Sequence, residues 1–313
     1  MIVFSVYNSL PAPLRYRLKQ LFRTAGHSAS WCDSLIARRD AHGKKALSHS
    51  LDHMLRLLEI GGVESLRGMR TMDFGSGYVP TDAVAHWLLG AEAAYAADYN
   101  AIADFSALRV AVMRDDERAL VGKVPVALHE EFCSRLRALR RLDTWSAAEF
   151  RKFGIHYLAP FDALGDRPPV AFDLITSTSV LEHIAADDLD RMLAALGSAL
   201  AEHGRMIHEI HLEDHLDIDG DPFNFLRRGT TYRRGRDHDA RGNRVLRRDW
   251  RGHFSQLGCC VSTEAEVRFT QETRLPVMDA LLPQYRELRG DELFASHVVY
   301  VSQKLRTPLA AVD

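Results

Sequence analysis

The stretch from Met69 to Asn100 constrains the fold more than any other part of this chain. It runs Met69-Arg70-Thr71-Met72-Asp73-Phe74, breaks at Gly75-Ser76-Gly77-Tyr78-Val79-Pro80-Thr81-Asp82, continues as an apolar helical run, and closes on Ala93-Ala94-Tyr95-Ala96-Ala97-Asp98-Tyr99-Asn100. A strand, a glycine turn, a helix and a second strand ending in an acid make the first half of a nucleotide-binding α/β unit. Glycines let the backbone bend sharply and approach a ligand closely, and an acid at the end of the second strand is placed to accept ribose hydroxyls. The stretch therefore predicts a ribose-bearing cofactor.

The turn narrows the choice. A dinucleotide fingerprint wants a third glycine and amides facing a pyrophosphate, and here Pro80 stands in that place with no N–H to offer. Asp73 puts a carboxylate at the mouth of the turn, which repels phosphate and suits an ammonium group. S-adenosylmethionine carries such an amine and no phosphate. The run hydrophobic-Asp-Phe-Gly-Ser-Gly resembles motif I of the class I S-adenosylmethionine-dependent methyltransferases. That resemblance implies a cofactor set of Asp73, Gly75, Ser76, Gly77, Asp98 and Tyr99, with Asp98 on the ribose.

A second signal follows. Phe172-Asp173-Leu174-Ile175-Thr176-Ser177 and Val180-Leu181-Glu182-His183-Ile184 resemble the fourth-strand motif of that family and the helix after it. The resemblance places Asp162 and Ala163 at the adenine and Ser177 on the methionine side. It implies a Rossmann-like α/β fold: a seven-stranded, mostly parallel sheet with helices on both faces, an N-terminal helical cap and a helical insertion.

Composition excludes more than it selects. With 313 residues the chain can bury a full α/β core, and a net charge of -2 exerts no global pull toward nucleic acid or membranes. No run reaches the roughly 18 apolar residues of a membrane span. The start, Met1 to Tyr7, lacks a basic leader, which predicts no signal peptide. Cys32, Cys133, Cys259 and Cys260 show no metal spacing. A cytoplasmic protein is expected.

The resemblance implies a helical cap over 1–66, a cofactor-binding domain over 67–304 and a tail over 305–313. Residues 14–60 read as helices, with Leu47, Leu51, Met54, Leu55, Leu57 and Leu58 forming a stripe that ends at Gly61-Gly62. Residues 101–152 read as a helical insertion that leaves a homodimer surface open. Strands are expected at 154–158, 172–176, 205–212, 259–269 and 296–302. Helices are expected over 187–200, stopped at His203-Gly204, and over 250–257 and 277–288.

The fifth strand and its sequel carry the candidate chemistry. His208, His211, Asp214 and His215 crowd together, but His208 and His211 are three apart on a strand and point to opposite faces, so no metal is expected. Asp217, Asp219 and Asp221 imitate a calcium loop without its glycine or its final glutamate. Ligands of open α/β sheets sit beyond the carboxyl ends of the strands, which puts Asp214, His215, Glu182 and His183 at one mouth. Methyl transfer to a hydroxyl needs a base and close alignment, and histidine titrates in the right range. His215 is the first choice of base, oriented by Asp214, with His183 second.

The motif His208-x-Ile210-x-Leu212-x-Asp214-His215, with Asp221-Pro222-Phe223-Asn224 and Gly242-Asn243-Arg244 after it, resembles a bacterial branch of the same methyltransferases often tied to surface polysaccharide or secondary-metabolite pathways. That branch usually has Asp where this chain has His211, which makes His211 a fourth candidate. The segment 213–251 reads as a solvated loop or a substrate lid; its ten arginines between Arg227 and Arg251 suit an anionic acceptor. Thin aromatic interleaving argues against nucleic acid. The expected activity is O-methylation of a small-molecule or sugar acceptor. The alternatives are a related fold repurposed for cyclisation or elimination through His211 and His215, and a non-catalytic partner subunit.

Overall fold

The structure is a computed structural model that describes residues 45–215, 221–230, 232–233, 237–255, 259–268, 281–286 and 295–304, with positions 37, 41 and 43. The helices expected before residue 37, half of the 277–288 helix and the tail lie outside the described residues.

Helix α1 (Leu47–Ile60) buries Leu47, Ser50, Leu51, Met54, Leu57 and Leu58, the three-and-four spacing of a helix lying on a core. It stops at Gly61-Gly62, where Gly62 takes a φ of +60° that L side chains avoid. Strand β1 (Arg70–Phe74) then enters the sheet, the glycine turn follows, and α2 (Thr81–Leu88) is buried along its whole length. Strand β2 (Ala93–Ala97) returns parallel to β1.

The long insertion resolves into α3 (Phe105–Arg114), α4 (Glu117–Val121), α5 (His129–Arg140) and α6 (Ala147–Arg151). Asp104, Asp116 and Ser146 cap three of them by accepting from backbone N–H groups of the first turn. Val112, Leu120, Phe132, Leu136 and Leu139 are buried, so these helices belong to the main core.

After β3 (Ile155–Leu158) come β4 (Phe172–Thr178), α7 (Leu189–Ser198), β5 (Leu200–His211), α8 (His238–Arg241), α9 (Arg247–Ser255), β6 (Cys259–Arg268), α10 (Pro283–Arg286) and β7 (Ala295–Lys304). Strand order is β3-β2-β1-β4-β5-β7-β6, with β7 antiparallel to both neighbours. The result is a Rossmann-like, mostly parallel mixed sheet. Its order reverses between β1 and β4, the switch point where such sheets bind ligands.

One face of the sheet packs Leu174, Ile207, Val299 and Val301 against α1, α2 and the insertion helices; the other packs Met72, Ile175, Met206 and Tyr300 against α7 and α9, with Trp250 and Phe254 fully buried. No helix among the described residues is long and apolar enough to cross a membrane. One expected boundary moves. Gly204 does not stop a helix: α7 ends at Ser198 and Gly204 lies inside β5, where pairing with β4 shifts between Phe172 and Leu174. A Cβ there would come within 2.6 Å of the Phe172 carbonyl oxygen, so the glycine serves strand approach.

Candidate active site

The carboxyl ends of β1, β2, β4 and β5 meet at one edge, and the site is built there in two halves. In the first half the chain leaves β1 at Phe74 and bends through Gly75 (φ +81°) and Gly77 (φ +68°). Gly75 and Ser76 donate their amides to the Ala97 carbonyl at 2.8 and 3.0 Å, which pins the turn to β2. A Cβ on Gly75 would strike Val180 at 2.3 Å, whereas one on Gly77 would meet nothing within 4 Å. The first glycine is therefore needed for packing and the second faces open space.

Asp98 holds this turn from the neighbouring strand. Its Oδ2 accepts from the Gly77 amide at 2.8 Å and its Oδ1 from the Asn100 amide at 2.9 Å. Tyr99 stands beside it at the rim, 68 % exposed. Asp162 and Ala163 arrive next to them because the Phe161 amide donates to the Asp98 carbonyl at 2.9 Å, and Asp162 Oδ1 accepts from Leu164 N.

Asp73 is buried, and its Oδ2 has no hydrogen-bond partner; the buried Ser76 Oγ next to it is in the same state. Burial, reinforced by the negative charge of Asp82, pushes the Asp73 carboxyl up to about 8. Burial acts on Asp82 too, but the Lys45 ammonium paired with it outweighs that and brings it down to about 2. An unsatisfied buried carboxyl thus stands near the end of the strand that leads into a turn with an open glycine, an arrangement that calls for a cationic or donor ligand.

Ser177 takes a different part from the one expected. It is fully buried within β4, opposite His208 of β5, and its Oγ lies 2.7 Å from His208 Nδ1. His208, which burial lowers to about 3, is a neutral core residue on the face opposite to His211.

The second half gathers histidines and carboxylates from separate elements. Past β4, Ser179 adopts a φ of +58°, rare for a residue with a side chain, and the short 3-10 turn Leu181–His183 presents Glu182 and His183. Past β5 come Glu213, Asp214 and His215. His215 Nε2 lies 3.6 Å from Glu182 Oε1, and its ring meets that of His183 edge-on with centroids 4.6 Å apart. His211 is 5.4 Å from His215 between ring centroids and 3.8 Å from His297 of β7.

Asp214 was expected to orient His215. It is fully buried in a salt bridge with Arg241, and among the described residues Glu182 places a carboxylate against the His215 ring. Burial raises Glu182 to about 7, with His211 pulling the other way. At His211 burial opposes the charge, and the carboxylates of Glu213, Glu182 and Glu209 outweigh it and raise the ring above the ordinary histidine range. His297, burdened by burial and by its neighbour His211, is lowered.

The arginine-rich segment is partly internal. Arg241 also reaches Asn224 Oδ1 at 2.7 Å, Arg227 pairs with Asp221, and Arg244 stacks over the Tyr232 ring at 3.7 Å. Asn243 donates to the carbonyls of Leu181 and Ile184, both at 3.0 Å, and so fixes the turn that carries Glu182 and His183. Glu213, His297 and Arg241 escaped the sequence reading, and Asn243 entered it only within a motif. Glu213 follows the last strand residue, His211, by two positions and could have been noticed; His297 is distant in sequence and had no local sign.

No family model matches the sequence, and a comparison with curated proteins likewise finds no match. Solved structures of similar outline include an S-adenosylmethionine-dependent methyltransferase from Mesorhizobium loti, at 15% identity and a TM-score of 0.44, covering 80% of this chain and 96% of that one. Magnesium protoporphyrin IX methyltransferase from Synechocystis, with bound S-adenosylhomocysteine, is 13% identical with a TM-score of 0.42, covering 82% and 84%. The N-methyltransferase NodS from Bradyrhizobium japonicum is 11% identical with a TM-score of 0.40, covering 81% and 86%.

Proposed function

We propose that this chain binds S-adenosylmethionine at the glycine turn and transfers its methyl group to an oxygen of a small-molecule or sugar acceptor. The observation that carries the reading is the buried Asp73 carboxyl, with an unsatisfied oxygen, in the strand that leads into the turn where Gly77 faces open space. In this reading Asp73 meets the amino group of the cofactor, Asp98 takes the ribose hydroxyls from the position where it already secures the turn, and Asp162 with Ala163 borders the adenine.

The acceptor enters from the histidine side of the same edge. Transfer is an in-line displacement at the sulfonium carbon: the acceptor oxygen bonds to the methyl carbon as the carbon–sulfur bond breaks, and S-adenosylhomocysteine leaves. The acceptor proton goes to His215, whose cationic form the Glu182 carboxylate stabilises. His183 flanks that pair. With Ser177 turned toward His208, the methionine side of the cofactor is bordered by Ser76 and the Ser179–Val180 backbone instead.

The test is isothermal titration with S-adenosylhomocysteine, followed by label transfer from S-adenosylmethionine to a panel of hydroxyl acceptors. Saturable binding that Asp98→Ala weakens, together with label in a product, supports the reading. Absence of binding to the wild-type chain overturns it; binding with acceptor conversion but no label favours proton-transfer chemistry on the same scaffold.

A further inference from the structure

The reading above uses His215 and Glu182 and leaves a neighbouring group idle. His211 at the end of β5, Glu213 two residues on, and His297 near the start of β7 bring three ligand atoms within 4.8 Å of one another. Glu213 Oε1 lies 3.6 Å from His211 Nδ1 and 3.6 Å from His297 Nε2. Those separations are too long for hydrogen bonds. They come close to the spacing of about 3.4 Å between two ligands that each bind a tetrahedral zinc-class ion at about 2.0–2.1 Å.

The environment points the same way. Glu213 is 3% exposed, its Oε2 has no hydrogen-bond partner, and neither has the buried His211 Nδ1. The two imidazoles facing Glu213 Oε1 stand at 3.6 Å, outside hydrogen-bond range, and a buried carboxylate so loosely met gains from a cation that binds it directly. The His297 ring is oriented from behind, since its Nδ1 lies 2.8 Å from Ser296 Oγ while Nε2 faces Glu213. A second partner that fixes the ring of a ligating histidine is a regular accompaniment of metal sites.

We propose that His211 Nδ1, Glu213 Oε1 and His297 Nε2 bind a divalent transition-metal ion of the zinc class. Two imidazoles and one carboxylate suit zinc, cobalt or iron better than the all-oxygen preference of magnesium or calcium. Three protein ligands leave a coordination position for water or an oxygen of the acceptor, beside the His215 ring. An ion there would act as a Lewis acid on that oxygen. The inference rests on side-chain geometry alone and asks nothing of methyl transfer, so its failure and that of the cofactor reading are separately visible.

The full chain, stripped with a chelator, is titrated with Co2+ and followed by visible absorption and calorimetry. One equivalent should bind with the intense bands of a low-symmetry four- or five-coordinate site. Glu213→Gln should weaken binding at least about 100-fold, since loss of a ligand exceeds loss of a supporting partner. His297→Ala, at a partly exposed ring, carries the same comparison if the buried variant fails to fold. His183→Ala, in the adjacent triad of Glu182, His183 and His215, should leave the affinity within about 3-fold, a change under about 0.7 kcal/mol. No saturable binding to the wild-type chain overturns the site. Binding that survives Glu213→Gln or His297→Ala and is lost in His183→Ala overturns this assignment of ligands.

Discussion

The two halves of the site are built on opposite plans. The glycine half takes Asp73, Gly75, Gly77 and Asp98 from one strand-turn-helix-strand unit, with backbone amides doing most of the holding. The histidine half takes Glu182, His211, Glu213, His215 and His297 from three strand ends and holds them by side chains that reach across sequence, such as Asn243 to Leu181 and Arg241 to Asp214. A site made of local backbone can be recognised from local sequence; one made of distant side chains cannot.

The sharpest way to separate the halves is His215→Ala. It should lower label transfer about 1,000-fold, within the range of a lost general base, and leave S-adenosylhomocysteine affinity unchanged by calorimetry. A matching loss of affinity would merge the halves. Next comes the pair of glycines. Gly75→Ala imposes both a left-handed φ and a clash with Val180, and should cost about 3 kcal/mol of stability. Gly77→Ala imposes only the φ, and should cost about 1 kcal/mol. Chemical denaturation reads both, and equal losses would contradict the packing role given to Gly75.

Asp98→Ala should weaken the cofactor analogue roughly 100-fold, because it removes charge-assisted hydrogen bonds to both the turn and the ribose. Glu209→Gln tests the link beneath the halves. Glu209 is buried, yet His53 and Arg56 of α1 hold it down at about 2. Loss of its charge should destabilise the fold by about 2 kcal/mol, seen as a lower melting temperature at neutral pH.

The remaining test is a pH dependence. Asp73 titrates at about 8 against 3.8 when unfolded, so its ionisation drains stability progressively from about pH 4 and the penalty is complete above pH 8. Asp73→Asn should therefore stabilise the ligand-free protein at pH 8 to 9 while weakening the cofactor. In the native chain, analogue affinity should rise up to tenfold per pH unit below 8, as binding releases the Asp73 proton, and then level off. A flat profile would remove Asp73 from the cofactor half.

Sequence periodicity located most described elements within a few residues, because buried strands and amphipathic helices carry their own pattern: Leu47 to Leu58 and Phe172 to Thr176 behave as read. Gly204 was misread because a glycine after a helix and a glycine at a strand bulge look alike until the opposing backbone is known. The same reasoning chose Asp214 as the partner of His215 because the two are adjacent, while Arg241, twenty-seven positions on, engages Asp214 in space. Nor was the interior use of Arg241 and Arg244 visible in a segment whose composition signals solvent.

The helix α1 reaches both halves. Lys45, just before its start, grips Asp82 behind the glycine turn, and its His53 and Arg56 grip Glu209, two residues before His211. It acts as a crossbar over the switch point: lifting it strips the cations from two buried carboxylates at once, so the two halves share one latch.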